Sequence, residues 1–154
     1  MSAPHLTSLV AEFCKSIGLP ELVPSDDDYY SFSVDDSLIV EIKYESDSDL
    51  VCFFVQLGFI DAPNKDEIIE DILDANVLWR GTGGVTLGRD SATGIVTLAY
   101  QERIEYITYP RFEEILETVI SSAQVWAARI KGETPDGTEG LDPASMASML
   151  PSRA

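Results

Sequence analysis

Basic residues are scarce in this sequence of 154 residues: ten Lys and Arg face 27 Asp and Glu, for a formal charge of −17 and an isoelectric point near 4.1. Proteins that grip a phosphate backbone or an anionic bilayer need clustered cations, so nucleic acid and membrane surfaces are not expected partners. Histidine occurs once, as His5, and cysteine twice, as Cys14 and Cys52. One histidine rules out a His-rich zinc site, and a Ser-His-Asp or Cys-His unit would depend on a residue in an N-terminal stretch expected to fray. The two cysteines lie in an apolar helical pattern and an apolar strand pattern without CxxC spacing, which predicts reduced core residues. No apolar run approaches the roughly 18 to 20 residues of a membrane span. The start MSAPHLTSLV also lacks the basic and apolar regions of a secretory signal, so a cytoplasmic protein is expected.

What is present is an ordinary globular composition, 45% hydrophobic and 24% charged, enough to bury a core in a chain of about one domain's length. Leu6, Leu9, Val10, Phe13, Cys14 and Ile17 recur at the spacing of one helical face, and Gly18 with Pro20 supplies the stop. Tyr30, Phe32 and Val34 alternate with Tyr29, Ser31 and Ser33 as in a strand. Asp35-Asp36-Ser37 then turns the chain into a second strand led by Leu38, Val40, Ile42 and Tyr44. A third strand, Leu50 to Leu57, is apolar on both faces, with Leu50, Cys52 and Phe54 on one side and Val51, Phe53, Val55 and Leu57 on the other. Asp66 to Trp79 reads as a helix whose stripe is Ile68, Ile69, Ile72, Leu73, Ala75 and Trp79, ended by Gly81, Gly83 and Gly84. Val85 to Leu87 and Gly94 to Ile104 follow as a hairpin around Asp90-Ser91-Ala92-Thr93. A last helix opens with Pro110 in its first turn and runs to about Lys131, with Phe112, Ile115, Val119, Trp126 and Ile130 on one face.

The order α-β-β-β-α-β-β-α predicts an α+β domain over residues 1–131, an antiparallel twisted sheet flanked by helices. Residues 132–154 show no periodicity and are expected to form a flexible tail, with Met146, Met149 and Leu150 as a candidate short docking segment.

Catalytic patterns are missing. The stretch from Ser25 to Asp49 holds nine carboxylates against Lys43 alone, yet it contains no calcium-loop spacing, and Asp with Ser are the ordinary residues of turns. Gly81-Thr82-Gly83-Gly84 lacks the Gly-Lys-Ser/Thr of a phosphate loop and follows a helix instead of a strand. No serine sits in a GxSxG elbow. Neither an enzyme nor a cofactor or metal site is expected. What stays unexplained by chemistry is surplus apolar surface, which points to self-association or a protein partner. Ile68, Ile72 and Trp79 make a stripe with little room to be buried by one small sheet, so a homodimer built on this helix and the strand after it is expected, through Ile68, Ile72, Leu73, Trp79, Val85 and Leu87.

The helix end Ile17-Gly18-Leu19-Pro20, the Val34-Asp35-Asp36 turn and the run Ile72-Leu73-Asp74-Ala75-Asn76 into Gly83-Gly84-Val85-Thr86-Leu87-Gly88 together resemble the class I type III secretion chaperones, the Tir-chaperone-like family. So does a final helix carrying Phe112 and Trp126. The resemblance spans about residues 6 to 131. It implies a bacterial, virulence-associated homodimer of α/β protomers that binds the N-terminal segment of a secreted effector, keeping it extended and secretion-competent without hydrolysing nucleotide. In such families the segment crosses apolar patches of helix one and the sheet, or adds a strand to a sheet edge. Here Leu9, Val10 and Phe13 of helix one, with Phe32, Val51, Phe53 and Val55 of the sheet, are the matching candidates. Two other classes stay open at this point: a regulatory protein of the same fold that sequesters a regulator or anti-activator, and a small metal-binding protein or hydrolase using the aspartates.

Overall fold

An apolar stripe needs a second surface to cover it, and helix α1 (Ala3–Ile17) meets that need by burying Leu6, Leu9, Val10 and Cys14. A computed structural model describes residues 3–61 and 63–133 of the chain. α1 stops where Gly18 takes φ +72°, which lets the Leu19 amide donate back to the Cys14 carbonyl at 2.9 Å. His5, expected in a frayed stretch, lies inside α1 with its Nε2 2.9 Å from the Ile107 carbonyl oxygen.

Strands β1 (Tyr29–Val34), β2 (Leu38–Glu45) and β3 (Leu50–Gly58) form an antiparallel meander. Its two turns hold Asp35, Asp36 and Asp49, and the turn leading into β1 holds Asp28, all at φ between +51° and +62°. Asp tolerates the left-handed region because its short polar side chain can bond locally, so these four members of the acid-rich stretch are turn residues. Helix α2 (Lys65–Asn76) is followed by a 3-10 turn (Val77–Trp79), by β4 (Thr86–Arg89) and β5 (Val96–Arg103), by a second 3-10 turn (Ile104–Tyr106) and by helix α3 (Tyr109–Ile130). The five strands make one sheet in the order β1-β2-β3-β5-β4, the antiparallel α+β plan read from the sequence.

The described chain forms two compact units. Unit one runs through Val55 and adds Ala99–Ile120; unit two is Gln56–Leu98 with the residues from Ser121 on. β3, β5 and α3 each begin in one unit and end in the other. In unit one, Phe53 and Phe112 are fully buried, with centroids 5.7 Å apart, and Phe112 meets Phe13 edge-on at 6.1 Å. In unit two, Ile68, Ile72 and Ala75 of α2 are buried, as are Val85, Leu87 and Trp126.

The expected helix to Trp79 ends three residues early, at Asn76. Asn76 is the last helical residue and its side chain bonds β4; Val77 then turns extended, at ψ 110°, and Leu78 and Trp79 take φ +54° and +53°, a conformation that no helix continues. The expected strand Val85–Leu87 is shifted to Thr86–Arg89, and Ile104 belongs to a 3-10 turn. The candidate tail segment with Met146, Met149 and Leu150 lies outside the described residues.

Candidate functional site

The two-faced strand resolves into an inner and an outer face. Val51, Phe53 and Val55 have no exposed surface at all, and Leu57 is buried as well. These are core residues, which corrects their expected place on a binding surface. The hairpin register carries the signal: Phe53 stands opposite Ile42 and Val55 opposite Val40, and directly opposed residues share a face. Leu9, Val10 and Phe32 are buried too, so the protomer does not present them. Of the seven candidates only Phe13 is partly exposed, and it leans on Phe32 with centroids 5.5 Å apart.

The accessible face of β3 is the other one. Leu50, Cys52 and Phe54 are half-buried, and neighbouring strands align charged and aromatic groups beside them. Lys43 pairs with Cys52 across β2–β3 and with Tyr29 across β1–β2, so Tyr29, Lys43 and Cys52 form one row. The Lys43 ammonium lies 5.0 Å above the Tyr29 ring and 3.0 Å from Glu45, whose carboxylate raises its pKa. Tyr29 in turn meets Phe54 edge-on at 5.6 Å. Burial is the main cause that pushes the Cys52 thiol up, with Glu45 adding to it and Lys43 opposing it.

The two sheet edges differ. β1 is bordered by β2 alone, and at Tyr29 its outward groups are engaged: Tyr29 N–H donates to Ser25 Oγ at 3.2 Å, and Ser25 N–H to the Tyr29 carbonyl at 2.8 Å. By strand alternation Ser31 and Ser33 turn their peptide groups the same way, and both side chains are exposed. β4, at the opposite end of the order, is closed at its centre. Asn76 Nδ2 donates to the Leu87 carbonyl at 2.8 Å while Leu87 N–H donates to Asn76 Oδ1 at 3.0 Å, so a side-chain amide occupies the place of a neighbouring strand. This pair joins the Asn76 end of α2 to the Gly83-Gly84-Val85-Thr86-Leu87-Gly88 segment.

A third surface lies where α2 ends. Leu73 is 63% exposed, Val77 52%, Leu78 69% and Trp79 54%. The segment is clamped on both sides: Asn76 is tied to β4, Gly81 N–H reaches back to the Ala75 carbonyl at 3.1 Å, and the Gly81 carbonyl accepts from the buried Trp126 indole at 3.2 Å. Ser122 donates to the Thr82 carbonyl at 3.1 Å. Positive φ at two bulky residues costs roughly 1 to 2 kcal/mol each. Such strain persists only where the surroundings impose it, and it gathers at functional positions. Leu73 and Trp79, two of the expected self-association residues, are therefore on this surface. Ile68, Ile72, Val85 and Leu87 are not: they are buried within unit two, because the stripe of α2 has a core to cover after all. Val77 and Leu78 were not foreseen, since continued helical periodicity hides a break. Among the described residues no group of three or more His, Cys, Asp or Glu is placed to hold a metal ion, and no helix is long and apolar enough to cross a membrane.

A model of the Tir chaperone protein (CesT) family matches residues 8–127. No curated protein matches. Among solved structures, the ExsC–ExsE complex contains a chain 22% identical, with TM-score 0.70, covering 88% of this chain and 98% of its own. The HopA1–SchA chaperone–effector complex gives 16% identity and TM-score 0.68 over 82% of this chain and 96% of that one. The Yersinia pestis type III secretion chaperone SycH, solved with a stable fragment of YscM2, gives 19% identity and TM-score 0.60 over 76% and 95%.

Proposed function

Since the chain belongs to the Tir chaperone protein family, we propose that it is a cytoplasmic, non-enzymatic chaperone of type III secretion that holds the N-terminal segment of a secreted effector extended. The observation that carries this is the family match over residues 8–127. Structural likeness to a chaperone caught with its effector adds support. An extended client loses roughly 1 to 2 kcal/mol of backbone entropy per residue fixed, so its chaperone must offer long, partly apolar surface together with backbone hydrogen bonds. The outer face around Leu50, Cys52 and Phe54 offers the first. The Ser31 and Ser33 edge of β1 offers the second, by strand addition, while Asn76 leaves the β4 edge little room for one. Charge −17 favours a client segment that interleaves apolar with basic residues.

The exposed group Leu73, Val77, Leu78 and Trp79 is the surface we assign to self-association. Contiguous apolar side chains of this size mark interaction sites, and aromatic anchors at the centre of an interface supply most of its energy.

Cys52 gives a direct test of the client surface. In the free protein Cys52 should react with iodoacetamide at pH 8 several-fold more slowly than an open thiol, because burial raises its pKa, and Cys14 should react only on unfolding. Co-purified client should slow the Cys52 reaction at least tenfold further. Unchanged Cys52 reactivity in a client complex would remove the outer face from the site, and failure of any secreted protein to co-purify from the native cell would remove the function.

A further inference from the structure

Two residues of β2 stand directly behind the edge of the sheet at β1. Ile39 lies opposite Ser33 and Glu41 opposite Ser31, and by strand alternation all four are on the outer face. Ile39 is 56% exposed although β2 has a neighbouring strand on each side. Glu41 is half-buried, stands opposite Phe54 of β3, and enters no hydrogen bond or ion pair among the described residues. The cation nearest to it along the strand is already engaged: Lys43, two residues on and on the same face, brings its ammonium 3.0 Å from Glu45 and 5.0 Å from the centre of the Tyr29 ring. Tyr29 and Phe54, edge-on at 5.6 Å, set aromatic surface beside the Glu41 carboxylate. A partly desolvated carboxylate next to aromatic rings attracts a cation through both.

The serines leave these two residues within reach. A strand added at β1 places one residue opposite Ser31 and one opposite Ser33, and serine is too short to stand between an added side chain and the residue behind it. From the added strand to Glu41 is two strand spacings, about 10 Å. An arginine or lysine and a glutamate close that gap from its two sides, and shorter side chains do not. The bonds between Ser25 and Tyr29 take the next position along the edge, so Ser31 and Ser33 are the ones that fix register. A second copy of β1 does not complement this site, because Tyr-Tyr-Ser-Phe-Ser-Val carries no cation.

On the reading that clients add a strand at β1, we infer that β1 and β2 select a two-position pattern in the client: an apolar residue opposite Ser33, lying on Ile39, and two residues later an arginine or lysine opposite Ser31, reaching Glu41 and the Phe54 ring. The order follows from antiparallel addition, which is the pairing of β1, β2 and β3 and the slightly more stable one. Such a strand meets Ser33 first and Ser31 second. Backbone bonds at the edge hold any extended segment, and the two side-chain positions choose among segments. The charge of −17 asks for basic residues anywhere in a client, whereas Glu41 asks for one at a fixed place.

Peptides with blocked ends, titrated into the full chain and followed by NMR, test the pattern. Thr-Thr-Val-Thr-Arg-Thr-Thr is the match. Its controls carry Ala or Glu in place of Arg, or reverse the pair as Thr-Thr-Arg-Thr-Val-Thr-Thr at unchanged charge. Slowed exchange of the Ser31 and Ser33 amides reports strand addition whatever the peptide's side chains. The Arg peptide should bind about fivefold more tightly than the Ala peptide and the reversed one, and more tightly still than the Glu peptide. Glu41→Gln should level the Arg and Ala peptides, and Glu41→Lys should turn the preference to the Glu peptide, with both amides protected throughout. Equal affinities for all four peptides, with those amides protected, would overturn the pattern and leave strand addition standing. A preference for Arg that survives Glu41→Gln would overturn it in favour of the field of the whole molecule. Peptides that bind without protecting those amides, or do not bind, would overturn strand addition at β1 and the pattern with it.

Discussion

At Asn76 a side-chain amide does what a peptide group does in a sheet, donating and accepting on Leu87 at once. Asn76→Ala removes both bonds and leaves the Leu87 groups half-buried, which should cost about 2 kcal/mol in urea unfolding. Asn76→Asp should be no better, because it sets a carboxylate against the Leu87 carbonyl. Thr82 shows the opposite imbalance. It is buried and its Oγ1 has no partner among the described residues, so Thr82→Val, which keeps the shape and removes the orphan hydroxyl, should raise stability by up to about 1 kcal/mol. Asp90 accepts from Ala92 N–H at 2.9 Å and from the Thr93 hydroxyl at 3.0 Å, and these bonds hold its carboxyl below the ordinary range. Its contribution is therefore present above the unfolded pKa, near about 3.9, and lost as pH falls through the lower folded value. Asp90→Asn should flatten the acid limb of a stability–pH curve in that window and leave neutral pH little changed.

Among the elements, the strained turn after α2 separates contact from fold most sharply. Trp79→Asp should convert the self-associated protein to monomer by light scattering while the circular dichroism spectrum persists, because Trp79 is on the surface. Ile72→Asp, by contrast, should unfold the protomer, since it places an unpaired charge in the core of unit two. Leu78→Gly relieves a left-handed leucine and should keep or slightly raise protomer stability while weakening self-association. The same elements show what a sequence can disclose. Periodicity located the three helices and five strands found among the described residues, because burial of one face imposes a period on the residues that line it. It did not place the end of α2, where Asn76 is drawn to a strand eleven residues away. Nor did it choose between the faces of β3, because both sets of side chains are apolar and only the register opposite Ile42 and Val40 decides. For that reason most candidate contact residues proved to be core: the strongest apolar pattern marks what the fold buries, and a binding surface shows a weaker one.

At the scale of the whole molecule the surplus of negative charge dominates. Two copies at −17 repel, and salt screens the repulsion, so self-association should tighten several-fold between about 0.01 and 0.15 M salt. Sedimentation at the two salt levels would check this, and weakening with salt would mean that ion pairs hold the interface. Deleting residues 134–154 should leave the melting temperature within a few degrees, since their sequence carries no periodic apolar face to contribute to a core. A last consequence attaches to the edges of the sheet. In the vocabulary of polymer chemistry a sheet open on both sides is a bifunctional monomer, able to grow without limit by linking one unit's left edge to the next unit's right. With the Asn76 amide seated on Leu87 the sheet is monofunctional: a strand can be added at Ser31 and Ser33, but the added strand ends the series. The asparagine thus works as a chain terminator, and its loss would restore the second functional group.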